Sequence, residues 1–75
     1  MMLSLDQLCM GVWGCVIGID TATEMKERLR DFGLVTGTRV RRCYESPAGD
    51  VAAIELRGAI LALRTCDLRH IQVLV

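Results

Sequence analysis

Residues 39–64 read RVRRCYESPAGDVAAIELRGAILALR, and this stretch decides the fold. Arg39 to Glu45 alternates at the period of two that marks a β-strand. Val40, Arg42 and Tyr44 share one face, and Arg39, Arg41 and Cys43 the other. Ser46 to Asp50 follows as a turn: Pro47 presets the dihedral of a first central position, and Gly49 comes two residues later, where type I turns favour glycine. Val51 to Arg57 alternates again, with Ile54 and Leu56 opposite Ala53, Glu55 and Arg57. Gly58 makes a tight break, and Ala59 to Arg64 returns with Leu61 and Leu63 opposite Ile60, Ala62 and Arg64. Three short strands joined by tight turns form a β-meander.

Upstream, Thr21-Ala22-Thr23-Glu24 fits a capping box, in which the Thr21 hydroxyl and the Glu24 carboxylate each satisfy a free amide of the first turn. Ala22, Met25, Leu29 and Phe32 then recur at spacings of three and four, which predicts one short amphipathic helix over residues 22–32. Gly33 stands where a left-handed C-terminal cap is wanted. Leu34 to Thr38 reads as a connector that turns at Gly37. Val12 to Ile19 reads as a strand with Val12 and Val16 on one face and Trp13, Cys15, Ile17 and Ile19 on the other. Gly11, Gly14 and Gly18 predict bulges, a sharp bend or close backbone approach and leave its inside and outside unassigned. Leu3, Leu5 and Leu8 suggest a short strand running into a helical turn. Downstream, Thr65 caps a single helical turn near residues 66–70, and Ile71 to Val75 ends the chain as a strand. The expectation is one all-β domain over residues 1–75, a small barrel of about five strands with one real helix.

Composition narrows the function classes. Apolar residues make up 52% of the 75-residue chain, so a packed core is expected, although a domain this small buries only about 60% of its unfolded surface. Nine Lys and Arg balance nine Asp and Glu. That balance gives no general attraction for nucleic acid or for an anionic membrane, which makes nucleic acid the least favoured partner. It also does little to hold copies apart, so a homo-oligomer is compatible with the chain. The leading Met-Met-Leu-Ser-Leu-Asp has no cationic n-region, and the apolar runs are too short to cross a bilayer. A soluble cytoplasmic protein without direct membrane insertion is expected, and with it reduced thiols at Cys9, Cys15, Cys43 and Cys66 that pack as small hydrophobes.

No group of residues makes a convincing catalytic set. Cys66 and His70 are four apart, a spacing that on a helix could hold a divalent transition metal, iron or zinc, or pair a thiolate with an imidazole. Zinc takes three or four protein ligands, so a solvated or capping His70 is the plainer reading. The glycines between Gly11 and Gly18 match neither phosphate-binding fingerprint. Arg39, Arg41 and Arg42 form a basic cluster. A solvated strand edge explains it most simply, and a protein contact comes next, because arginine is enriched at interfaces. Trp13, the one tryptophan, is either core packing or the natural hot spot of a contact surface.

The whole chain resembles the FeoA family, the small cytosolic proteins of bacterial ferrous iron uptake. The likeness lies in Leu3 and Leu8, in Gly11, Val16 and Ile19, in Arg28-Leu29 with Phe32-Gly33-Leu34 and Gly37-Thr38, and in Ser46-Pro47 with Gly49-Asp50. It continues through Arg57-Gly58, Leu61-Ala62-Leu63-Arg64, Ile71 and Val73. Thr36 stands where the family usually has proline, and Phe32 where leucine is common. The resemblance implies an SH3-like barrel with no enzymatic activity and no required cofactor. It also implies a partner, the cytoplasmic part of the FeoB membrane iron transporter with its GTP-binding domain. The same fold closes the iron-dependent repressors of the DtxR type, so a stand-alone metal-responsive regulatory domain is the alternative. Trp13, Arg41, Arg42, Arg57 and Arg64 are the candidate contact residues.

Overall fold

The computed structural model describes residues 1–75. Six strands are present: β1 (Met2–Ser4), β2 (Trp13–Ile19), β3 (Arg39–Glu45), β4 (Val51–Leu56), β5 (Ala59–Arg64) and β6 (Ile71–Leu74). All pair antiparallel, in the order β1-β6-β2-β3-β4-β5. The strand beyond the expected five is β1, only three residues long and joined to β6 at Met2↔Leu74. Buried side chains from β2, β3, β4 and β6 meet in one cluster of twelve residues, so the sheet must coil around a single core. Leu5 and Leu8 from the leader, Leu29 and Leu34 from the helical segment, and Leu68 fill that cluster from its open sides.

Two bulges set which residues face inward. β2 shifts register between Val16 and Gly18, so Ile17 turns to solvent while Ile19 packs on the core. Ile19 therefore does not share the outer face with Trp13, as simple alternation had it. β3 shifts between Arg42 and Tyr44. Val40 and Arg42 point inward, but Tyr44, expected beside them, is 55% exposed. Gly14 serves close approach: a Cβ there would lie 3.3 Å from Val73 Cβ on β6.

Helix α1 covers Thr23–Asp31, one residue shorter at each end than its periodicity predicts. Its N-cap is Ala22, without a side-chain cap hydrogen bond. The capping box does not form, because starting one residue later takes Thr21 off the cap position and Glu24 off the third. The C-terminus follows the sequence reading. Gly33 has φ +88°, its amide donates to the Arg30 carbonyl at 2.9 Å, and the Leu34 amide donates to the Leu29 carbonyl at 2.9 Å. This is the Schellman pattern, and it seals with an apolar pair, because Leu29 and Leu34 are both buried. Of the predicted stripe only Leu29 is fully buried; Met25 is half-buried, and Ala22 and Phe32 are exposed.

The second helix, α2, is one turn over Thr65–Leu68. Thr65 does not cap it. Its hydroxyl donates to the Gly49 carbonyl at 2.7 Å and its amide to the Asp50 carbonyl at 2.9 Å, tying α2 to the turn before β4. Cys9, Cys43 and Cys66 are exposed and only Cys15 is half-buried, so the thiols are not the small core hydrophobes they were expected to be. No helix is long and apolar enough to cross a membrane.

Candidate functional site

The β2–β3 register sets Trp13 opposite Arg41, and Cys15 opposite Arg39. Both arginines thus flank the indole. The Arg41 guanidinium carbon lies 4.9 Å from the ring centroid and that of Arg39 5.3 Å, within cation–π range. Trp13 remains 38% exposed. The row continues across the outer face: Arg41 is opposite Glu55, with which it forms a salt bridge, and Glu55 is opposite Ile60. A parallel row carries Met2, Leu74 and Cys15 to Arg39. The outer face therefore combines a tryptophan, three exposed apolar side chains (Met2, Ile60 and Leu74) and a cation, Arg39, that has no carboxylate partner. A ring held by two guanidinium groups loses little rotamer freedom when a partner covers it, and Trp with Arg is the composition of contact hot spots.

Arg42 lies on the other side of the sheet. It is 8% exposed. Its Nη1 donates to the Leu8 carbonyl at 2.9 Å and the Asp6 carbonyl at 3.1 Å, and its Nη2 to Glu45 Oε1 at 2.6 Å. A guanidinium can bridge two carbonyls and a carboxylate because its donors form a planar fork. Arg42 thus straps the leader, including the 3-10 turn Leu5–Gln7, to β3. That burial removes it from the surface available to a partner.

The remaining candidates are dispersed. Arg57 sits at the tip of the β4–β5 hairpin with φ +50°, followed by Gly58 at +78°, and its side chain lies along α1's C-terminal glycine. Arg64 ends β5, its Nε 3.5 Å from Asp67 Oδ2. Cys66 and His70 are both exposed near α2, but the helical turn stops at Leu68, so their four-residue spacing is not carried on a helix. No cluster of three or more His, Cys, Asp or Glu side chains is present. These two donors alone do not make up the ligand set of a structural zinc site. Arg39 was legible as part of the basic cluster. Its place against Trp13 depends on strand register, which no local sequence signal carries.

Residues 3–75 match the family model described as FeoA domain. No curated protein matches the chain. Among solved structures, a FeoA protein from Chlorobium tepidum superposes with a TM-score of 0.90 at 27% identity, covering 95% of this chain and 68% of that one. A FeoA-like protein from Clostridium acetobutylicum gives 0.86 at 31% identity, covering 99% of this chain and 86% of that one. The zinc complex of Stenotrophomonas maltophilia FeoA, described as a prokaryotic SH3 domain protein, gives 0.78 at 25% identity, covering 97% and 88%. The all-β, SH3-like barrel expected from the sequence is the fold observed.

Proposed function

The chain belongs to the FeoA domain family, and on that premise we propose that it is a non-catalytic accessory protein of bacterial ferrous iron uptake that binds the cytoplasmic, GTP-binding part of a FeoB-type membrane transporter. The observation that carries this reading is Trp13, held between Arg39 and Arg41 yet open to solvent. A transport-activating role has been put forward for the Stenotrophomonas maltophilia relative, and the same role suits a small barrel with a preformed contact face. The test is binding to the purified cytoplasmic domain of the transporter without nucleotide, with GDP and with a non-hydrolysable GTP analogue. Trp13→Ala is expected to weaken binding by about thirtyfold, the scale of a hot-spot residue. Absence of binding in every nucleotide state overturns the proposal.

The zinc bound to that same relative favours a second reading, a metal-responsive regulatory domain. Here Cys66 and His70 would supply the donors for iron or zinc. Zinc titration followed by backbone amide shifts tests it: shifts centred on residues 65–71 support this reading, and their absence removes it.

A further inference from the structure

The two margins of the sheet are unequal. At one margin β1 has three residues, a length too short to recruit another strand. At the other, β5 runs for six residues, pairs only with β4, and carries no bulge and no proline. Its outward backbone can be assigned. Arg57 and Gly58, both at positive φ, form the two-residue turn of a hairpin closed by Leu56↔Ala59. Closure makes that pair hydrogen-bonded, and alternation then turns Ala59, Leu61 and Leu63 toward β4. The Thr65 amide, next in this series, does donate to Asp50 on the β4 side. The amides and carbonyls of Ile60 and Ala62 therefore point away from the sheet, and no hydrogen bond within the chain engages them.

Beside this margin lies a groove of about 320 Å³ between β5 and α1. Met25, Leu29, Phe32 and Leu63 give it apolar walls, and Arg28 and Arg64 stand at its rim with Asp67, the partner of Arg64. Phe32 is 57% exposed although it belongs to the helix's apolar stripe, so the stripe continues past the barrel's own core.

We propose that β5 and the β5–α1 groove form a strand-addition site for an extended segment of another protein, apolar at alternate positions and carrying carboxylates. Its backbone pairs with Ile60 and Ala62. Alternate side chains on the inner face enter the groove against Met25, Leu29 and Phe32. Carboxylates meet Arg28 and Arg64. A second copy of this chain is the poorer occupant, because Leu61 and Leu63 pack against its own core and leave it nothing to place in the groove. The site uses none of Trp13, Arg39 and Arg41, and Ile60 at the far end of that row takes part through its backbone alone, so its success or failure is distinguishable from docking at the indole.

The probe is an acetylated, amidated peptide alternating glutamate with valine and leucine. Amide hydrogen exchange and amide shifts are followed at saturation. Exchange at Ile60 and Ala62 is expected to slow by at least about tenfold, with shifts along β5 and α1. Methylating the alternate peptide nitrogens that face β5 is expected to abolish both effects. Ala62→Pro removes the outward amide without touching a β4–β5 hydrogen bond and is expected to abolish binding; should it not fold, the methylated peptide decides alone. Equal binding of the methylated peptide, or shifts confined to the Trp13 face, overturns the proposal. So does protection of Ile60 and Ala62 that rises with protein concentration in the absence of peptide, since the occupant is then a second copy.

Discussion

Replacing Arg42 with methionine isolates the strap between the leader and β3. The thioether side chain is apolar and close in length to the arginine stem, so no large cavity opens. Three hydrogen bonds are lost, and they are not equal. The bond to the Leu8 carbonyl is buried, so that acceptor is left without water at a cost of about 1–3 kcal/mol. The Asp6 carbonyl is only partly buried and can regain water. Glu45 has a side chain 39% exposed, so its ion pair is worth about 0–1 kcal/mol. The sum is about 1–4 kcal/mol, centred near 2–3, set against about 4–11 kcal/mol for a domain of this size. The urea midpoint should fall by about 2 M, and the melting temperature by about 10–20 °C. Circular dichroism and Trp13 fluorescence should report the same transition, and native-state hydrogen exchange should show the leader opening first. Arg41→Met is the control, because that side chain lies on the outer face and should cost about 1 kcal/mol or less. An Arg42→Met midpoint within about 0.5 M of wild type, or an equal loss from Arg41→Met, refutes the argument.

Gly33→Ala should destabilise by about 1–2 kcal/mol, because φ +88° is strained for any residue with a Cβ and the added atom would sit 3.4 Å from Arg57 Cδ; the urea midpoint checks it. Thr38→Val should cost about 1–3 kcal/mol at nearly constant volume, since the buried hydroxyl donates to the Gly33 carbonyl at 2.8 Å and accepts from the Val35 amide at 3.2 Å. Thermal unfolding measures that loss. Gly14→Ala should cost about 1–3 kcal/mol by pressing β2 off Val73, and faster amide exchange along β6 should accompany it.

The meander from β3 to β5 was legible because Pro47, Gly49 and Gly58 punctuate it and Ile54, Leu56, Leu61 and Leu63 keep strict alternation between the breaks. The bulge in β2 was signalled by its glycines but not placed, and the one in β3, with no glycine near it, left no local signal. Each inserts one residue, which a fixed period of two cannot absorb, and so Ile19 and Tyr44 changed faces. Arg42 is the instructive case. Its phase, shared with Val40, pointed inward, while its charge suggested the surface; two hydrogen bonds to the leader and one to Glu45 resolve the conflict in favour of phase. The capping box failed by a single residue, within the usual uncertainty of helix ends. At the site, Trp13 and Arg41 were each named from the sequence, but their stacking spans 28 positions and exists only through the β2–β3 register. The open margin of β5 was unreadable for a similar reason, since which strand lies outermost depends on where the others pair.

The sheet order also dictates an assembly sequence. β3, β4 and β5 are neighbours in both chain and sheet and can zip from local turns, and β2 joins β3 across the helical segment. β6 comes after all of them yet lies between β1 and β2, and closing it against β2 spans most of the chain. β1, the first strand synthesised, has no neighbour other than β6. The beginning of the chain must therefore wait for the last strand before it finds its place, and the core stays open on that side until then. The slow step of folding should be this final closure, with its transition state built around the meander and the leader still free.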